Sequence, residues 1–218
     1  MICVSVGERS AARCLEVLDG LRFAEVRLDL VRDAAQHVEA LFAGPGKRIA
    51  TCRPGRLSGA ERAELLERAI AAGADFVDVE LDAPLAHRRR VLRAARRAGC
   101  EVIVSFHDFE GTPARAGLER TVHRCFAAGA DIAKIACTVS NPGDSARLLG
   151  LLEGGRPMVV VGMGPRGRLV RLAAPLLGSL FTYAAPDSGR PTAPGQLRAA
   201  ATAAALEQLR LLGKRGRR

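Results

Sequence analysis

Ala130-Asp-Ile-Ala-Lys134-Ile-Ala-Cys137 is a short apolar run with one lysine at its centre. Its length and its Ile, Ala and Cys content suit a strand buried on both sides, as in a parallel sheet. The chain holds only three lysines, Lys47, Lys134 and Lys214, against a large excess of arginine. A primary amine can become a nucleophile when burial and neighbouring charges favour its neutral form, which a guanidinium cannot do. A lysine snorkelling from a strand end explains the same residue, and the stretch alone leaves both readings open.

Outward from this run, similar segments recur every 20 to 30 residues, separated by alanine- and leucine-rich helical stretches. The strand-like segments are Ile2–Val6, Ala24–Leu30, Arg48–Arg53, Phe76–Leu81, Val102–His107, Ile132–Cys137, Met158–Val161 and Leu180–Ala184. Helices are expected over Arg9–Leu18, Ala34–Phe42, Gly59–Ala72, Pro84–Ala98, Thr112–Ala128, Asp144–Leu152 and Gly195–Leu212, with Thr112 as cap and Pro113 in the first turn of the fifth. Eight βα units in 218 residues fit a single-domain (β/α)8 TIM barrel, with a doubly wound open sheet as the alternative. One domain over 1–218 is expected, with a frayed basic tail at 213–218. The Pro/Gly-rich stretch Pro186–Gly195 is placed as a loop over a site.

The charged residues of these strands gather at their C-terminal halves. Glu25, Arg27 and Asp29 alternate with apolar residues, which puts them on one face, and Asp78 and Glu80 do the same. Arg53 and His107 end their segments. In a barrel these ends converge on the axis, so separate residues become one mixed-charge pocket. Beside an amine nucleophile, His107 becomes a candidate general acid and base. Gly162-Met-Gly-Pro-Arg-Gly167 matches a dinucleotide pattern but comes too late in the chain for one, and reads instead as an anion seat with Arg171 one turn on.

The net charge of +10 allows a nucleic-acid partner or an anionic small substrate. One tyrosine and no tryptophan leave little for base stacking, which disfavours the first. The six cysteines and four histidines show no metal-ligand spacing, so no metal is expected. No apolar run is long enough to span a bilayer, and a cytoplasmic protein is expected.

Several ordered motifs together resemble the type I 3-dehydroquinate dehydratase family. They are Glu25-Val-Arg27-Leu-Asp29, Ser105-Phe-His107-Asp-Phe109 with Thr112-Pro113, the Lys134 strand, Met163-Gly-Pro-Arg-Gly167 with Arg171, Gly178-Ser179 with Thr182-Tyr183, and Ala193-Pro-Gly-Gln196. The resemblance implies a barrel that dehydrates 3-dehydroquinate to 3-dehydroshikimate in the shikimate pathway, without a cofactor, through a Schiff base on Lys134. It implies that His107 moves the protons and that Arg171 holds the substrate carboxylate. Ser5, Glu25, Arg27, Arg53, Thr192 and Gln196 would bind substrate, with Asp78, Glu80, Met163 and Tyr183 in support and the arginines favouring the neutral amine. Homodimerisation is a family-level expectation.

The chain departs from the family in three places: Leu57 stands where a carboxylate is expected, Val161 replaces a methionine, and Thr192 replaces a serine. With Ile2–Val6 as the first strand, a barrel without the N-terminal hairpin of longer members is expected. Without a carboxylate at 57, Asp78 or Glu80 would have to hold His107. Two other readings remain: an aldolase-type Schiff-base barrel, and an anion- or nucleic-acid-binding barrel with lost activity.

Overall fold

A computed structural model describes residues 1–215, with side chains described as far as Arg210. The frayed tail expected over 213–218 lies at and beyond the edge of these residues. Eight parallel strands alternate with eight α-helices: β1 (Ile2–Val6), α1 (Ala11–Leu18), β2 (Phe23–Arg27), α2 (Ala34–Phe42), β3 (Lys47–Thr51), α3 (Gly59–Ala71), β4 (Phe76–Glu80), α4 (Leu85–Ala98), β5 (Glu101–Asp108), α5 (Arg115–Ala127), β6 (Ile132–Thr138), α6 (Pro142–Gly150), β7 (Met158–Met163), α7 (Arg168–Ala173), β8 (Thr182–Ala184) and α8 (Ala199–Arg215). The strand order β7-β6-β5-β4-β3-β2-β1-β8 is that of a (β/α)8 barrel, with β7 and β8 as its seam. Across the seam, the Leu180 amide donates to the Met158 carbonyl (2.9 Å) and the Val160 amide to Ser179 Oγ (3.2 Å). The barrel is nearly closed.

Local chemistry sets the element ends. Ser58 with Glu61 forms a capping box at α3, and Asn141 with Asp144 forms one at α6, where Pro142 fills the first helical position without losing a needed amide. Helix α5 starts later than Thr112. The Thr112 hydroxyl donates to the Thr138 carbonyl (2.7 Å), so it ties β5 to β6 and leaves Ala114 at the helix entrance. Helix α4 ends on Gly99 at φ 70°, a left-handed conformation that a β-carbon would disfavour. The glycines at 162 and 167 act by close approach: a β-carbon on Gly162 would lie 2.6 Å from the Gly167 carbonyl oxygen. They let the end of β7 meet the following turn, so they pack against each other.

Two apolar cores follow from strands covered on both faces. The outer one lies between strands and helices and includes Val26, Val77, Val104, Ile135 and Leu148. The inner one fills the barrel and includes Phe23, Phe76, Ile103, Phe181 and Tyr183. Phe23 packs edge-on against Phe181 with ring centroids 5.0 Å apart, and Phe181 packs edge-on against Tyr183 at 5.4 Å. This aromatic column fills the barrel up to the level where charge begins.

Candidate active site

Above the inner core, period 2 turns alternate residues of several strands into the barrel. Strand β2 contributes Glu25 and Arg27, β4 Asp78 and Glu80, β5 Ser105 and His107, and β6 Lys134. Asp29 lies past the end of β2 and so is not on the strand face expected for it. It folds back to clasp Arg27 at 3.0 and 2.7 Å.

Lys134 is buried, and its Nζ donates to Asp78 Oδ2 (2.9 Å) and lies 3.5 Å from Glu25 Oε1. The Tyr183 ring centroid is 4.2 Å away. The nearest charged partners of the amine are therefore carboxylates, not the arginines expected to surround it. Arg53 shares Asp78 Oδ2 with the amine, at 3.0 Å, and also reaches Glu80 Oε1 at 3.2 Å and Ser105 Oγ at 2.9 Å. Ser105 donates to Asp78 Oδ1 (2.6 Å). Burial raises the Asp78 pKa, but Arg53 and then Lys134 outweigh it and hold the carboxyl below the usual range. Glu25 follows the same pattern: burial opposes its charge, and Lys134 and Arg27 restore it.

His107 has the opposite balance. Burial first, then Arg53 and Lys134, push its pKa down to about 2, so the ring is neutral near pH 7 and keeps a lone pair on one nitrogen. Its Nδ1 is buried without a hydrogen-bond partner, and Glu80 Oε1 lies 3.9 Å away. Of the two carboxylates considered as its partner, Glu80 is the one beside the ring. Asp78 is already engaged by Lys134, Arg53 and Ser105. Leu57 is half-buried against the outer core, so the loop after β3 brings no acid to the pocket.

These groups line a cavity of about 410 Å3. Its wall includes Glu25, Arg27, Arg53, Glu80, His107 and Lys134, as well as Met163, Arg171, Tyr183, Thr192 and Gln196. Asp78 lies beneath the wall, and so does Ser5. Ser5 was expected to touch substrate, but it is wholly buried. It donates to Glu25 and accepts from the Thr192 hydroxyl (2.7 Å), so it is a floor support. Gln196 first serves its own loop: its Oε1 accepts from the amides of Thr192 (2.9 Å) and Ala193 (3.2 Å). Arg171 is 3% exposed, its Nε and Nη1 have no partner, and burial lowers its pKa to about 10. A buried guanidinium with free donors facing a cavity is a ready seat for a carboxylate. Sequence reasoning did not single out Ser105 and Phe109. Their motif was visible, but only the fold shows Ser105 bridging Asp78 and Arg53, or Phe109 lying over His107.

The sequence pattern of the type I 3-dehydroquinase family matches residues 2–212. The chain belongs to that family. The 3-dehydroquinate dehydratase of Methanosarcina mazei is 35% identical over 196 residues, which cover 82% of this chain and 81% of that protein. The protein of the same name from Dehalococcoides mccartyi is 34% identical, with 90% of each covered. Among solved structures, the 3-dehydroquinate dehydratase of Geobacillus kaustophilus superposes with a TM-score of 0.86 at 29% identity, covering 96% of this chain and 91% of that one. The family and its (β/α)8 barrel thus agree with the resemblance carried by the motifs.

The low pKa of His107 has a consequence for stability that does not depend on substrate. An unfolded histidine titrates near ~6.5. Between that value and about 2, the unfolded chain binds a proton that the folded one refuses. Stability from this residue is complete above pH ~6.5 and falls by about 1.4 kcal/mol per pH unit below it. Asp78 and Glu25, held below the usual carboxylate range, lose their contributions only at lower pH. A His107→Asn variant should therefore show unfolding free energies about 2 kcal/mol less dependent on pH between ~6.5 and ~5. Parallel curves from denaturant titrations would count against a neutral His107.

Proposed function

We infer that this chain dehydrates 3-dehydroquinate to 3-dehydroshikimate, the shikimate-pathway reaction of its family, through a Schiff base on Lys134. The observation that carries the site assignment is the placement of a buried amine, a neutral histidine and an unpaired buried guanidinium around one cavity. Lys134 attacks the C3 ketone and loses water to give a protonated imine. His107 takes the proton from C2, and the electron pair passes into the imine nitrogen. The resulting enamine expels the C1 hydroxyl, which leaves as water with the proton His107 returns. Hydrolysis of the product imine frees Lys134. One difficult elimination becomes several easier steps.

Arg171 holds the carboxylate, while Glu25, Arg27, Arg53, Thr192 and Gln196 meet the hydroxyl groups. Glu80 steadies His107 in place of a carboxylate at position 57. Asp78 positions Lys134 and Arg53, Met163 and Tyr183 shape the apolar wall, and Ser5 holds Glu25 and Thr192 from below.

The enzyme is read as a cofactor-free homodimer of the cytoplasm. Among the described residues, no helix is long and apolar enough to cross a membrane. An aldolase-type barrel would share Lys134 but has no use for Arg171. Two surface arginines of α4 are paired, Arg90 with Glu67 and Arg96 with Asp131.

The test is incubation with 3-dehydroquinate, following the conjugated enone in the ultraviolet and trapping with borohydride. The expected result is enone formation and a substrate-dependent mass gain on the Lys134 peptide. Neither signal appearing would overturn the assignment.

A further inference from the structure

Strand β8 is only three residues long, Thr182–Ala184, so the loop that follows it carries Thr192 and Gln196 to the cavity with little support from the sheet. That loop is held instead by the stretch after β1, the strand that pairs with β8. Glu8 in this stretch is 6% exposed, and its Oε1 accepts from the Arg190 amide at 2.8 Å. Arg13 Nη2, in the first turn of α1, donates to the Ser188 carbonyl (2.9 Å). From the far end of the loop, Arg198 donates to the carbonyls of Pro186 and Gly189, and the Asp187 carboxylate accepts from the Ala200 amide (3.1 Å).

The two segments fit closely. A β-carbon on Gly189 would lie 2.7 Å from Glu8 Oε1 and 2.6 Å from Pro186 Cγ, and one on Gly7 would lie 3.0 Å from Thr192 Cγ2. Gly7 and Glu8 therefore meet the loop on both sides of Pro191. Burying a carboxylate against a loop is unfavourable unless its hydrogen bond does something an apolar side chain could not. What the carboxylate adds is a strong, directional bond that fixes one particular amide. That amide lies just ahead of Thr192, whose hydroxyl donates to Ser5 Oγ (2.7 Å) and whose own amide donates to Gln196 Oε1 (2.9 Å). Any shift of Arg190 would be passed on to both cavity groups.

We propose that Glu8 is a positioning residue for substrate binding: its carboxylate pins the Arg190 amide and so holds Thr192 and Gln196 where a polyhydroxy ring acid meets them. This rests on the dehydratase reading for the identity of the ligand. Glu8 itself is not among the residues that line the cavity, so its effect passes through the loop. The loop groups meet hydroxyls that are the same in the bound substrate and in the transition state. Loss of their placement therefore shows in KM and leaves kcat nearly unchanged.

Glu8→Ala should raise KM for 3-dehydroquinate about 10-fold, with kcat within about twofold of wild type. Glu8→Gln keeps an acceptor for the same amide and should recover most of the loss. Gly189→Ala disturbs the contact from the loop side with Glu8 intact, and should raise KM in the same way. Amide hydrogen exchange of the unliganded protein should quicken in Glu8→Ala over the 186–196 loop alone, and calorimetry should show weaker binding of quinate, a stable polyhydroxy cyclohexane carboxylate. A KM for Glu8→Ala within about twofold of wild type, or a Glu8→Gln variant as impaired as Glu8→Ala, overturns the proposal. Exchange that quickens across the whole barrel also overturns it, because that is the mark of lost stability. If the wild type makes no enone, while Glu8→Ala still frees the loop amides and weakens quinate, the dehydratase reading fails and the positioning role stands. Enone formation with loop exchange and KM unchanged in Glu8→Ala is the reverse result.

Discussion

A Lys134→Ala variant is expected to lose substrate-dependent borohydride trapping completely and to lower kcat by about 10⁴- to 10⁶-fold, the scale seen when a covalent nucleophile is removed. The loss should not be one of folding. Asp78 would keep Arg53 at 3.0 Å and Ser105 at 2.6 Å, and Glu25 would keep Ser5 and Thr51 Oγ1 (3.1 Å), so neither acid is left bare. The comparison that separates chemistry from charge is Lys134→Arg. It keeps the cation between Asp78 and Glu25 but cannot form the imine, so it should be as inactive as the alanine variant and closer to wild type in melting temperature. Residual turnover within 100-fold of wild type in either variant, measured by enone absorbance, would show that Lys134 is not the nucleophile.

Asp78→Asn should have the largest effect on stability. Asp78 is 3% exposed, and its carboxylate is the common anion of Lys134 at 2.9 Å and Arg53 at 3.0 Å. Without that charge, two buried cations face each other with Glu25 and Glu80 as the remaining counter-ions. Breaking a buried pair by removing one partner costs about 3–5 kcal/mol, which for a chain of this size lowers the melting temperature by roughly 6–20 °C. The same variant should slow imine formation, because Lys134 loses its closest hydrogen-bond acceptor. The energetic logic is tested by adding Lys134→Met, which removes one stranded cation and should restore part of the lost stability. Calorimetry showing the single variant within 2 °C of wild type would mean that Asp78 does not organise the cluster.

Some of this organisation is legible in residue order alone. Lys134 stands out because lysine is rare here and because its segment is otherwise apolar. Alternation in Glu25-Val-Arg27 and in Asp78-Val-Glu80 tells which side chains share a face, because successive residues of a strand point to opposite sides whatever the neighbours are. The eight repeats announce the barrel because parallel strands need a crossover helix between them. Element ends are less legible. Thr112 has the chemistry of a helix cap but is drawn to the Thr138 carbonyl, a partner 26 residues away. The glycines around Met163 match a dinucleotide-binding pattern, and the close approach of Gly162 to Gly167 is seen only in the fold.

The sequence by itself determined the barrel, the family and the set of chemical groups at the strand ends. The barrel and the groups follow from local periodicity, spacing and residue type, each of which acts over a few positions, and the family from the resemblance of its ordered motifs. Only the tertiary structure decided the partners. It put Lys134 against Asp78 and Glu25 and left the arginines at a remove. It brought Glu80 beside His107 while Leu57 went to the core, it placed Ser5 under the floor, and it laid the Phe109 ring alongside His107. These pairings join residues from different strands and loops, and their strength depends on burial and on distances of a few ångströms. Charge separation in a low-dielectric interior is set by where chains cross in space, which local sequence does not encode.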